Sequence, residues 1–285
     1  MRIENDVRTM LPNLYNASAN RNTRLETGSY SDILQHDTVE LSAAYARALP
    51  EGVIEHEPAR MYFNHEINAT LERVLARQDP KVRKAVYQLI EANFFPTNAD
   101  YSEEERSALM AAGLTQARFI AENYMEPGDA ADFMDTIHLI AAVASTRKVD
   151  PQTGQVSYVQ LPQRPQGAPA DYVRVQDLMQ RYDPEAYARL GREIARGGNF
   201  ASILIEFAKK LQRNPDWVQK YREEQDNLMN ELRDMKIDNE FDHIRATTIE
   251  DFTAAMKAHL EQSSASCKDL LLKNLMAFAR RLGHR

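Results

Sequence analysis

The sequence predicts an all-α protein: a multi-helix bundle in two helical subdomains, with one short β-hairpin near residues 147–159. Three observations carry that prediction. Apolar residues recur at three- and four-residue steps through most of the chain, the period of one helix face. Asp-Pro, Asn-Pro and Ser-x-x-Glu sequences stand ahead of these runs, where an N-cap side chain accepts orphan backbone N–H groups and proline occupies the first helical position at no cost. Period-two texture around a Pro and Gly turn is convincing only between Lys148 and Val159.

From the N-terminus, Asn13 to Ser31 is rich in Asn, Ser, Thr and Arg and predicts a mobile arm over residues 1–30, because it holds too little apolar surface to order itself. Ser31 to Leu49 predicts a first helix through Ile33, Leu34, Leu41, Ala44, Tyr45 and Ala48, stopped by Pro50 and Gly52. A second helix is expected after Pro58 up to Gln78, on the stripe Met61, Tyr62, Ile67, Leu71, Val74 and Leu75. Asp79-Pro80 opens a third, with Val82, Val86, Leu89 and Ile90 inward. Ser102 and Glu105 form a capping box for a fourth, which Gly113 is expected to interrupt before Thr115 to Met125 resumes the pattern. Asp129 caps a helix to about Arg147 on Phe133, Met134, Ile137, Ile140, Ala141 and Ala144.

Pro162, Pro165, Gly167 and Pro169 then mark an extended linker, and the boundary between halves is placed near residue 165. The expected organisation is therefore an arm over 1–30, a helical domain over 31–147, hairpin and linker over 148–169, and a helical bundle domain over 170–285. In that last part Asp183-Pro184 and Asn214-Pro215 start helices and Gly197-Gly198 separates two. Trp217, Tyr221, Leu228, Leu232 and Met235 predict a long helix, expected to pack as a hairpin against Thr248 to Leu260 and Asp269 to Leu282. The same stripe would permit a dimer through residues 217–235.

Composition bounds the function. At 43% hydrophobic and 27% charged residues the chain can bury a core, and a formal charge of -7 would repel phosphate backbones. No nucleic-acid partner is expected. The 15 basic and 22 acidic residues up to Lys148, against 20 and 20 beyond it, put the whole excess in the first half. Cys267 is the single cysteine, which excludes an internal disulfide and fits a cytoplasmic, reducing compartment. The start of the chain does not resemble a signal peptide, and no stretch approaches the roughly 20 apolar residues of a membrane span.

The densest cluster of chemistry-bearing residues is His56-Glu57 with His65-Glu66, the residue types of metal sites and acid–base pairs. His56 and His65 are nine apart, whereas a helix-borne zinc site needs histidines at a spacing of four. The His36-Asp37 doublet is shared with helical metal-dependent phosphohydrolases, but no histidine precedes it, so their first ligand has no counterpart and the assignment is rejected. Asp132, Asp135 and His138 step along a helix opposite its apolar stripe, as solvated residues do. Glu240, Asp242 and His243 form a similar group in an expected loop. Glu103, Glu104 and Glu105 suit a helix N-terminus, and Gly197-Gly198-Asn199 lacks the lysine of a phosphate loop.

The leading expectation is a non-enzymatic protein-interaction, adaptor or regulatory protein with a protein partner and no cofactor, using the N-terminal arm and the hairpin as contact surfaces. The first alternative is a metal-assisted hydrolase using His56, Glu57, His65, Glu66 and His138, with His56 and His65 as metal ligands. The second is a substrate of a specialised secretion system, on the Asn, Ser and Thr-rich start.

Overall fold

The computed structural model describes residues 58–96, 101–165, 167–169, 171–262 and 267–283. The predicted arm and first helix, and with them His36, Asp37, His56 and Glu57, lie outside these residues. The described chain is mostly helical, with one two-stranded antiparallel sheet. A 3-10 turn over Pro58–Tyr62 leads to α1 (His65–Leu75) and α2 (Pro80–Leu89), which runs into a π-helical turn, Ile90–Phe94. α3 (Glu103–Tyr124) and α4 (Pro127–Ser145) precede β1 (Lys148–Val149) and β2 (Val156–Ser157). α5 (Val175–Tyr182), α6 (Pro184–Ala195), α7 (Ala201–Arg213), α8 (Asp216–Asp234), α9 (Ile249–Gln262) and α10 (Lys268–Leu282) complete it. No described helix is long and apolar enough to cross a membrane.

Two compact units divide the described chain. One holds Arg164–Glu223; the other joins Glu55–Gln163 with Glu224–Arg285. The smaller packs Leu178, Met179, Leu190, Ile203 and Phe207 together, with Trp217 stacked on Tyr182 at a centroid distance of 5.1 Å. In the larger, α3 and α4 are the central helices. The middle of α3 and the last turns of α4 are buried on nearly every side, being rich in alanine, with Gly113 among them, and small residues let neighbouring backbones approach closely. The division falls within α8: Trp217, Val218 and Tyr221 pack in the smaller core, Met229 and Leu232 in the larger.

Several sequence expectations need correction. The helix expected from Pro58 is broken at Asn64, whose side chain accepts the N–H of Ile67 at 3.0 Å and starts α1 afresh. α3 runs straight through Gly113, which is there for contact rather than as a breaker. α8 does not form a closed hairpin with the two last helices: α10 packs chiefly on α2 and on α9, so the C-terminal helices share the core of the first half.

Asp129 is the second residue after Pro127 and not the cap, a place taken by Glu126. Its carboxylate is almost buried, in the first turn where the helix dipole favours it, and accepts from Arg73 of α1 and from Arg77 in the turn that follows α1, at 3.2 Å each. Asp132 also meets Arg73, at 2.6 Å, but is half exposed. Asp129→Ala is therefore expected to cost about 2 kcal/mol, and Asp132→Ala under about 1 kcal/mol. Urea midpoints of the two variants measure the difference; equal midpoints would remove the role assigned to burial.

Candidate functional site

The hairpin is built by a local turn and fixed by an aromatic seat. Asp150 folds its carboxylate back onto the N–H groups of Gln152 and Thr153 at 2.8 and 2.9 Å, and those bonds hold its pKa below the usual carboxylate value. Gly154 adopts φ +69°, open to glycine without strain, so the chain reverses and Val149 pairs with Val156 and Lys148 with Ser157.

At the base, the Tyr158 ring meets Phe95 at 4.9 Å and Tyr62 at 4.6 Å, both edge-on, while Tyr62 stacks on Phe95 at 4.9 Å. Burial raises the hydroxyl pKa of Tyr158 and of Tyr62, and Tyr62 adds to the rise at Tyr158. The N–H of Val159 donates to the Thr146 hydroxyl at 2.9 Å, tying the second strand to the end of α4.

Beyond this seat Lys148, Val149, Ser157 and the turn between the strands are exposed and Val156 is partly buried. Successive strand residues alternate faces, so Val156 shares its face with Tyr158, and Val149 opposes Val156 on that same face. Val149 is 41% exposed. Met235, 40% exposed, lies at the root of the hairpin, its sulfur accepting from the Ser145 hydroxyl at 2.9 Å. Both outer edges of a two-stranded ribbon carry unpaired N–H and C=O groups, which are templates for a further strand. The sequence located the hairpin by its turn; the seat on Tyr62 and Phe95 was missed, since neither residue signals contact with a segment so far along the chain.

The histidine and carboxylate candidates are dispersed. His65 is the exposed first residue of α1. Glu66 holds Arg233 of α8 through both carboxylate oxygens, at 2.8 and 3.1 Å. His138 is exposed on α4. Among the described residues no three His, Cys, Asp or Glu side chains converge as a metal site. The Glu240, Asp242 and His243 group does acquire a neighbour that spacing could not supply, His259 of α9. Cys267 is buried at the start of α10, and burial together with Glu105 and Glu240 raises its thiol pKa. Compared with known protein families, with curated proteins and with solved structures, the chain matches none.

Proposed function

We propose that this chain is a non-enzymatic interaction protein whose contact element is the hairpin Lys148–Ser157, taking an extended apolar segment of a partner protein along its open edge. The observation that supports this reading is the exposure of Val149 opposite Val156 on a ribbon whose base is locked by Tyr158. A free two-stranded ribbon is marginal in water; anchoring one end in a helical core presents the other at little ordering cost on binding. Strand addition then supplies main-chain hydrogen bonds, while Val149, Val156 and Met235 offer apolar contacts for alternate partner side chains.

The test is a photo-crosslinking residue at position 149 in the full chain. A discrete protein adduct is expected, lost when Val156→Asp is added, while a retained cooperative urea transition shows that the variant is folded. No adduct, or an adduct indifferent to Val156→Asp, would remove the hairpin from the interface.

A further inference from the structure

Residues 235–248, between α8 and α9, form a connection without helix or strand, yet they are held firmly on α3. Arg118, largely buried, donates to the Asp242 carboxylate and to the carbonyl of Ile244, the latter at 3.1 Å. Asn239 and the Thr115 hydroxyl exchange bonds at 3.0 and 3.1 Å, and the Asn123 amide donates to the Ala246 carbonyl at 3.1 Å. The connection therefore presents His243 from a fixed backbone.

Facing it is His259 on α9. The two imidazole centroids are 5.0 Å apart and the rings tilted by 47°. The Phe241 ring supports His259 edge-on at 5.0 Å. A Glu240 carboxylate oxygen stands 3.9 Å from His259 Nε2. His243 is exposed and His259 partly so, which leaves the pair open to solvent. Arg118 is engaged by Asp242, and Arg245 by Glu122 at 3.4 Å.

We propose that His243 and His259 form a two-imidazole site for a borderline-soft divalent cation of the Zn²⁺ and Cu²⁺ class, with Glu240 as the adjacent carboxylate. A tetrahedral metal about 2 Å from one nitrogen of each ring sets the ring centroids roughly 5 Å apart, which is the spacing present. Imidazole nitrogen selects this class over Mg²⁺ and Ca²⁺, which require oxygen ligands. Water completes the shell; among the described residues no group of three ligands converges as a metal site. Glu240 offsets the charge of the cation. Because one ligand comes from the connection and the other from α9, the bound cation staples the two together.

The experiment is calorimetric titration of the metal-free full chain with ZnCl₂, alongside His243→Gln and His259→Gln. Both substitutions lie at solvent-reached positions, and unchanged far-ultraviolet circular dichroism verifies their fold. The wild type is expected to bind one Zn²⁺ equivalent more than either variant, while Mg²⁺ gives no such equivalent. Zn²⁺ is also expected to raise the thermal midpoint of the wild type alone. Identical stoichiometry and affinity in all three proteins, including no binding in any, would overturn the site. So would an equal response to Mg²⁺.

Discussion

Phe252→Ala is expected to destabilise the larger unit by about 3–5 kcal/mol, the range for removing a fully buried aromatic ring. Phe252 of α9 stacks on Phe119 of α3 at 4.6 Å and meets Phe278 of α10 edge-on at 6.1 Å, and Phe278 also reaches Phe119 at 6.4 Å. All three rings are buried. The three are far apart in sequence, and their mutual packing adds about 0.5–1.5 kcal/mol per pair beyond area burial. The informative readout is where the loss falls. Hydrogen exchange in Phe252→Ala is expected to rise in α3 as well as in α9 and α10, because a cavity at the junction weakens every helix lining it. A rise confined to residues 170–285 would instead support the division near residue 165 that the proline-rich segment suggests.

The second large effect concerns Gly113, and its sign is the test. In the middle of a solvated helix, replacing glycine by alanine gains about 0.5–1 kcal/mol. At position 113 the added Cβ would lie 2.8 Å from Phe94 Cε1 and 2.9 Å from Asn93 Cβ. Those neighbours cannot retreat easily. Phe94 is buried in the core, and Asn93 is held by Gln116 at 3.1 Å and by Asn274 at 3.2 Å. The π-helical turn Ile90–Phe94 is what brings them there, with Asn274 also donating to the Ala92 carbonyl at 3.1 Å. Gly113→Ala is therefore expected to cost about 2 kcal/mol and Gly113→Val about 3 kcal/mol, the scale of overpacking in a dense core. Gly191, within α6 and with open space where a Cβ would project, supplies the contrast. Gly191→Ala is expected to stabilise by about 0.5–1 kcal/mol. Chemical denaturation of the variants gives both signs; a stabilising Gly113→Ala would mean that the π-helical turn does not press against α3.

The helical class, the hairpin and the caps at Asp79 and Ser102, though not the one expected at Asp129, are legible in the linear chain, because each depends on residues within a few positions of one another. Asp79 accepts from the Lys81 N–H at 2.8 Å ahead of Pro80. Ser102 and Glu105 make the reciprocal capping box at 3.2 and 2.9 Å. Asp150 and Gly154 make the hairpin turn where the pattern placed it. What these elements touch is set by the folded chain alone. Gly113 carries the local signature of a helix breaker, and only the proximity of Phe94 turns it into a packing residue. A period of three or four residues states that α9 and α10 have an apolar face, but it is silent on whether α8 or α2 covers that face. His243 and His259 stand sixteen positions apart, on a loop and on a helix, and no spacing rule joins them; the bonds from Arg118, Thr115 and Asn123 do. Local hydrogen bonding is written in neighbouring residues, whereas contact between distant segments follows from volume and shape, which a linear pattern does not encode.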